Sequence, residues 1–382
     1  MKEETGIPAS FLAVVLIVAV LLSTVGCASG ASSTAARQQS SSGASSSSAQ
    51  NDGSATTAKS AGSSAPARSL TKVTNVISIG DPTFFYPLVA RARGFFNDEG
   101  LDVEVVYSQG SGSKSAEMLA AKQVQFATGG IENAMKLNTK GKPTEVVFSH
   151  MKRLDYATIV VNRELYDSGK IKTLKDLAGK KIGVTGLGGG LHTAGNYIVT
   201  QAGVGKDVEF IPLGDSAGVL GGLKSKRVDA IVANESWRQE SEAQGFGKTL
   251  FSAADDKTWN DIFGGDIPGI TTWVLKDYAK DNKDTVVAYV RAIGKAMKYI
   301  QDTPPGEIFD AVQNESDEIK VSGKEQFVSV VQELKKKVYN YSGMLDKDTY
   351  DRGMKVSMGI VGENVPYDTA VDMSFLKQIS SK

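Results

Sequence analysis

The chain has 382 residues, with 43 Lys and Arg against 43 Asp and Glu, so its net charge is near zero. No basic block favours a nucleic acid as partner. With two histidines and a single cysteine, the chain is poorly supplied with residues for a metal site or for Cys/His catalysis.

The N-terminus is typical of a targeting signal. Phe11–Leu22 is an unbroken apolar run, too short to cross a bilayer comfortably, and small residues follow it. The run leads to TVGC at residues 24–27, which resembles the bacterial lipoprotein signal in which the cysteine is lipidated, although that pattern usually has Leu at the place of Thr24. We predict a signal peptide over residues 1–26 and a lipid anchor at Cys27. An incidental cysteine inside a cleaved secretory signal is the alternative.

Residues 28–68 contain only Ala, Ser, Gly, Thr, Gln, Asn, four charged residues and one Pro. Such a segment cannot bury enough apolar surface to fold. We therefore predict a disordered linker over residues 27–69, between the anchor and a soluble body. The body, about 310 residues, is too long for one ordinary core and predicts two lobes.

From Asn75 onward, short β-rich runs alternate with helical patterns, which is typical of an α/β fold. The predicted strands are Val76–Ile79, Asp102–Tyr107, 124–127, Thr144–Ser149, Ala157–Val161, Lys181–Thr185, Val208–Ile211 and Ala230–Val232. The predicted helices are Tyr86–Asn97, a helix from GSGS at 110–113 to Ala121, a short helix capped by Thr173, Thr193–Ala202, an apolar face from Val286 to Ile300, and Phe327–Tyr339.

A glycine run, with five glycines between Gly183 and Gly190, lies between a predicted strand and a predicted helix. A dinucleotide fingerprint fails there because Leu191 stands at the place of the third glycine, and the run contains no Gly-Lys-Ser/Thr triplet of a P-loop. The order strand, glycine turn and helix N-terminus still predicts a site for an anion or a carbonyl group.

An internal repeat aligns Gly110–Ala127 without gaps on Gly214–Ile231, at an offset of 104 residues. Both segments have the pattern of a glycine loop, a helix, a basic turn and a buried strand. Chance similarity between such units is the alternative. The repeat predicts two similarly built lobes, each offering a helix N-terminus, and we pair the loop Gly110–Ser115 with the glycine run as two jaws of a ligand clamp.

Five blocks of sequence resemble a known family. They are GDPTFFYPLVARARGFFNDEGLDVEVV, GSGSKSAEMLAAKQVQFATGG, LKDLAGKKIGVTGLGGGLHTAGNYIVTQAGV, LKSKRVDAIVANES and GGDIPGITTWVLK. The family is the periplasmic binding proteins of nitrate/sulfonate/taurine-type ABC importers, which also includes binders of thiamine-pyrimidine precursors and aromatic carboxylates. The resemblance covers about Asn75 to Pro304.

This resemblance implies a two-lobe periplasmic binding protein type 2 fold, in which each lobe is a mixed sheet flanked by helices and the ligand lies between them. We expect lobe one at residues 70–156 and 268–382, and lobe two at 157–267. The implied partners are a small-molecule ligand and the permease and ATPase subunits of an importer. We expect a monomer without a cofactor, held by Cys27 on the extracytoplasmic face of the membrane.

The predicted ligand-binding residues combine the helix-start loops with aromatic and polar positions that the resemblance places in the cleft. They are Phe84, Phe85, Tyr86, Ser111, Gly112, Ser113, Lys114, Asn133, Gly188, Gly189, Gly190, His192, Glu235 and Trp237. Four of these residues have a purely structural role as the alternative: Ser113 and His192 as caps of their own helices, Lys114 as a solvated side chain, and Glu235 as a helix-initiating surface residue. Trp273 fits either core or pocket wall.

Three functions remain open at this stage. The first is a solute-binding protein that delivers a ligand to a permease, and the second is a solute sensor that presents its closed form to a receptor. The third is an enzyme similar to the pyrimidine synthases of this fold, whose cysteine-rich iron motif has no counterpart here because Cys27 is the only cysteine. No Arg lies in the pocket loops, Arg153 and Arg238 being the nearest, so we expect a monoanion or a polar heterocycle.

Overall fold

Two mixed sheets organise the computed structural model, which describes residues 69–109 and 112–380. The first sheet has the order β2-β1-β3-β10-β4, in which β1 runs parallel to β2 and β3, and β10 runs antiparallel to β3 and β4. Its strands are β1 Thr71–Ile77, β2 Leu101–Tyr107, β3 Phe126–Gly130, β4 Thr144–Ser149 and β10 Ile270–Leu275.

The second sheet repeats this arrangement with the order β7-β6-β8-β5-β9. Here β6 runs parallel to β7 and β8, and β5 runs antiparallel to β8 and β9. Its strands are β5 Thr158–Asn162, β6 Lys181–Val184, β7 Glu209–Pro212, β8 Ala230–Ala233 and β9 Gly247–Phe251. The predicted α/β class, with a mixed sheet in each half, is confirmed.

Helices flank both sheets. The helices that precede β10 in the chain are α1 Tyr86–Ala92, α2 Phe95–Asp98, α3 Gly112–Ala120, α4 Ile131–Thr139, α5 Arg163–Asp167, α6 Gly190–Gln201, α7 Ser216–Lys224, α8 Glu235–Ala243 and α9 Asp256–Phe263. The later helices are α10 Lys276–Asp281, α11 Lys283–Asp302, α12 Pro305–Val312, α13 Asp317–Lys337, α14 Lys347–Val361, α15 Tyr367–Ala370 and α16 Ser374–Ser380.

The internal repeat extends well beyond the segment that the sequence reveals. Three helix pairs start 104 residues apart, namely α1 and α6, α3 and α7, and α4 and α8. The turns before β3 and β8 each hold a left-handed lysine, Lys122 with φ 58° and Lys226 with φ 62°. Since non-glycine residues rarely adopt positive φ, this shared detail supports equivalence rather than chance. The prediction of two similarly built units is confirmed.

The same offset corrects our pairing of the two jaws. Gly110 corresponds to Gly214, whereas the glycine run that precedes α6 corresponds to the residues before α1, namely 82–85. The glycine run and the loop at 110–115 are therefore not equivalent positions of the repeat. Each half instead contributes three different helix-start loops.

One predicted helix is broken. We expected a continuous helix over Tyr86–Asn97, but Gly94 adopts φ 71°, which ends one helix and starts the next. The strands β9 and β10 are not among the predicted strands, and the segment of β9, GKTLF, has neither a β-branched run nor an alternation of apolar and polar residues. The eight predicted strands are confirmed, with ends that differ by at most five residues, the largest difference being the start of β1 at Thr71 rather than at Val76.

The chain crosses from the first sheet to the second after β4 and returns before β10. The predicted lobe boundaries, 156/157 and 267/268, fall in these two connecting segments and stay a prediction. After β10 the chain is helical: α11 packs against α1, while α13 packs against α8 and α14 against α6. Trp273 on β10 is fully buried beside Gly129 and belongs to the core rather than to a pocket wall.

The predicted signal peptide, Cys27 and the linker residues 28–68 lie outside the described residues and stay predictions. Within the described part of the chain, no helix is both long and apolar enough to cross a membrane.

Candidate ligand-binding cleft

A cleft of about 510 Å³ lies where loops from both sheets meet. This volume is within the range of small-molecule sites. Loops of the first sheet contribute Ser78, Ile79, Thr83, Phe84, Gln109, Gly112, Ser113, Gly130, Glu132, Asn133 and Ile270. Tyr156 comes from the first crossover, and loops of the second sheet contribute Thr185, Gly186, Leu187, Gly189, Gly190, Leu191, Gly214, Asp215, Ser216, Asn234 and Trp237.

The glycine run connects β6 to α6, and its three last glycines have different roles. Gly188 has φ 78°, a left-handed conformation that favours glycine. Gly189 has φ −90°, and an added Cβ there would meet only the Gly186 carbonyl oxygen, at 3.7 Å. A Cβ at Gly190 would lie 3.2 Å from both Glu132 Oε1 and a ring carbon of Tyr156, so glycine allows these side chains to approach the start of α6.

His192 and Lys136 brace this run rather than line the cleft. The Gly188 N–H donates to His192 Nδ1 at 3.0 Å, and Lys136 Nζ donates to the Gly188 carbonyl oxygen at 2.7 Å. Partial burial and the nearby Lys136 charge lower the pKa of His192, which suits its role as an acceptor. The structure therefore places His192 behind the loop, while Gly189 and Gly190 line the cleft.

Of the three consecutive aromatic residues, only Phe84 lines the cleft. Phe85 and Tyr86 are fully buried: Phe85 packs on Phe327 at a ring distance of 5.8 Å, and Tyr86 stacks on His150 at 4.2 Å. Their positions follow from the start of α1 at Tyr86, whose first turn faces the core. The structure thus puts Phe85 and Tyr86 in the core, away from a ligand in the cleft.

The loop before α3 reaches the cleft through Gly112 and Ser113. Lys114 is exposed and is not one of the residues that line the cleft, and Ser111 lies outside the described residues. Asn133, near the start of α4, lines the cleft and is 2% exposed. An added Cβ at Gly112 would lie 2.5 Å from Asn133 Nδ2, so this glycine permits the close packing of α3 on α4.

On the opposite side, Trp237 lines the cleft from the first turn of α8, whereas Glu235 does not. Glu235 Oε2 accepts a hydrogen bond from Arg238 Nε at 2.9 Å, and Arg238 also pairs with Glu242 at 2.6 Å. Arg153 is likewise engaged, with Asp256 at 2.8 Å. Neither arginine near the pocket loops therefore lines the cleft.

A buried acidic cluster beneath the cleft escaped the sequence analysis. Thr83 Oγ1 donates to Asp155 Oδ2 at 2.6 Å, and the Thr83 N–H donates to Asp81 Oδ1 at 2.9 Å. Asn234 Nδ2 donates to Asp81 Oδ2 at 3.1 Å, which links the first half of the chain to the cap of α8. Burial raises the pKa of Asp81 to about 7 and that of Asp155 to about 8.

The charges around the cleft are acidic. None of the described residues that line it is Lys, Arg or His, while Glu132 and Asp215 both do. Burial raises the pKa of Glu132, and its own backbone N–H, Lys136 and Asn133 oppose the shift. A helix N-terminus favours an anion by about 0.3–1 kcal/mol, or up to about 2 when partly buried. A carboxyl group beside the same helix start opposes that contribution when it is ionised, although burial disfavours the ionised form of Glu132.

Two similar units, a cleft between them and helix-start loops on both sides define a two-lobe periplasmic binding protein fold. The sequence matches the family model described as "NMT1/THI5 like" over residues 81–307, more than half of the chain. The chain belongs to this family.

Known relatives agree with this assignment. The candidate binding protein YtlA of Bacillus subtilis (strain 168) is 24% identical over 321 residues, which cover 82% of this chain and 91% of YtlA. A solved structure from Bordetella bronchiseptica RB50 has a TM-score of 0.70 at 22% identity, covering 81% of this chain and 97% of its own. The alkanesulfonate-binding protein SsuA of Xanthomonas axonopodis pv. citri, bound to MOPS, has a TM-score of 0.62 at 12% identity, with coverages of 80% and 98%.

Proposed function

We propose that the protein is an extracytoplasmic solute-binding lipoprotein that captures a small solute in the cleft and delivers it to the permease of an ABC importer. The observation that carries this proposal is the cleft itself, which is lined by corresponding helix-start loops from both halves of the chain. Ligands of open α/β sheets bind where such loops leave the strands. Membership in the family and the similarity to YtlA and SsuA support it.

In this account the two connecting segments between the sheets act as a hinge, and the loops close on the solute from both sides. The lipid at Cys27 holds the protein at the membrane, and the linker lets the body reach the permease. The ligand-contacting set that we propose is the subset of predicted residues that lines the cleft, namely Phe84, Gly112, Ser113, Asn133, Gly189, Gly190 and Trp237. No step of this account makes or breaks a covalent bond in the solute.

A thermal-shift screen with small sulfonates, carboxylates, nitrate and nitrogen heterocycles tests the binding function, because a ligand that binds only the folded state raises Tm. We expect one solute class to raise Tm in the wild type. A cell uptake assay with that solute then separates transport from sensing: loss of the protein should abolish uptake at low solute concentration. Unchanged uptake together with tight binding would contradict the transport function and favour a sensor.

A further inference from the structure

We propose that the cleft takes a small ring compound that donates N–H groups, neutral or positively charged, and that Glu132 and Asn133 select it over anions. The inference rests on the proposed function and names its solute class. It chooses between the two ligand classes, monoanion and polar heterocycle, that the sequence leaves open.

The orientation of the Asn133 amide is the first observation. Asn133 Nδ2 donates to Glu132 Oε1 at 2.8 Å and lies 3.4 Å from the Gly130 carbonyl oxygen. Both partners are acceptors, so the amide nitrogen must face them and the amide oxygen must face away. Asn133 Oδ1 is buried without a protein partner, in a side chain that lines the cleft and is 2% exposed. Because buried polar atoms are almost always hydrogen-bonded, this oxygen calls for a donor on the ligand.

The place of the Glu132 carboxylate is the second observation. Glu132 is 4% exposed, lines the cleft, and lies against Gly190 at the start of α6. The helix terminus that the sequence predicts as an anion site therefore already has a carboxylate of the chain beside it. An N–H donor on the solute would be complementary to the Glu132 carboxyl oxygens, and a cationic donor would also stabilise the charged form that burial disfavours. An anionic solute would disfavour that charged form further.

The cleft walls supply the third observation. Phe84, Trp237 and Tyr156 line the same cleft as Glu132 and Asn133. Aromatic faces favour planar rings, and they also attract cations through the ring quadrupole. A ring with an amino or amidinium group would use the aromatic walls and the two acceptors together.

Three probes of nearly the same shape test the charge and donor requirement: benzamidine, benzamide and benzoate. We expect the wild type to bind benzamidine at least tenfold more tightly than benzoate in calorimetric titrations, with benzamide between them. 4-Aminopyrimidine, nitrate and ethanesulfonate extend the panel. Glu132→Gln, which keeps the shape and the acceptor for Asn133, should reduce the benzamidine-to-benzoate ratio by tenfold or more. The matched control Glu363→Gln, at an exposed position, should leave the ratio unchanged.

Tighter binding of benzoate, nitrate or ethanesulfonate than of benzamidine and 4-aminopyrimidine would overturn the inference and leave the proposed function standing. An unchanged ratio in a folded Glu132→Gln variant would also overturn it. If neither the panel nor a small-molecule extract of bacterial cells raised the Tm of the wild type, the inference and the proposed function would both fail. If the Glu132→Gln variant does not fold, the benzamidine-to-benzoate ratio of the wild type tests the inference by itself.

Discussion

Gly188, Gly189 and Gly190 look alike in the sequence but are glycines for different reasons. The backbone at Gly188 requires positive φ, and Gly190 leaves room for Glu132 and Tyr156. Gly189 has neither constraint, since its φ of −90° suits any residue and its Cβ direction is open. We therefore propose that glycine at position 189 gives a ligand access to the N–H groups at the start of α6.

Gly189→Val should weaken binding of the cognate solute by roughly tenfold or more, about 1.4 kcal/mol, while Tm of the empty protein changes little. The valine would occupy the space through which the ligand reaches the helix start. Calorimetric titration and thermal unfolding measure the two effects. Gly294→Val, at a glycine on α11 that also has open space around it, is the matched control. Wild-type affinity in the Gly189→Val variant would show that the run is only a turn.

At single residues, the sequence predicted the positions of loops better than the direction of side chains. The aromatic triplet was correctly placed after the first strand, but nothing in three adjacent aromatic residues shows that only Phe84 faces the cleft. The burial of Glu132, Asp81 and Asp155 was missed because an acidic residue is normally exposed, and only tertiary packing reveals the exception. Asn133 was found through the family resemblance.

At the scale of elements, the hydrogen bonds of Asp81, Thr83, Asp155 and Asn234 join the loop after β1, the first crossover and the cap of α8. The pKa values of about 7 and about 8 lie above the usual value of 3.8 for both carboxyl groups. Between about pH 4 and these values the folded chain therefore holds more protons than the unfolded chain. Stability from this cluster is highest at low pH and falls as pH rises toward 8.

Asp155→Asn removes one of these titrating groups and keeps its shape. We expect the Tm of the variant, relative to wild type, to rise by at least about 2 °C between pH 5 and pH 8, which corresponds to roughly 1 kcal/mol for a chain of this size. Thermal unfolding at several pH values measures the difference. Asp102→Asn, at an exposed position on β2, serves as control. A difference in Tm that stays constant across this range would show that Asp155 is ionised in the folded protein at pH 5.

The order of elements was largely predictable because β-branched runs mark buried inner strands, such as Thr158–Asn162 on β5. Pairing between strands distant in sequence was not, and the antiparallel place of β10 between β3 and β4 depends on the return of the chain after the second sheet. The break at Gly94 was missed since a glycine inside a helical pattern does not show whether its φ is negative or positive. The repeat could be recognised in the sequence only over Gly110–Ala127 and Gly214–Ile231, where the two copies share residue types as well as the order of their elements.

At the scale of the whole molecule, we propose that the N-terminal region and the body are separate functional parts. Cys27→Ser should release the protein from the membrane fraction while the Tm and the solute affinity of the body stay the same. The reason is that the anchor depends on the cysteine thiol, whereas the cleft lies in the described body. Fractionation of cells expressing each form measures the effect. If the variant remained in the membrane after a high-salt wash, Cys27 would not be the anchor.

The central claim is that one solute is held simultaneously by loops of both sheets. Hydrogen–deuterium exchange with and without a stabilising solute measures this most directly, because amides that become hydrogen-bonded or shielded on closure exchange more slowly. The account predicts slower exchange at residues 130–133 and at 185–191 together, with little change in α11. Protection restricted to one of these two loops, or protection in α11 instead, would contradict it.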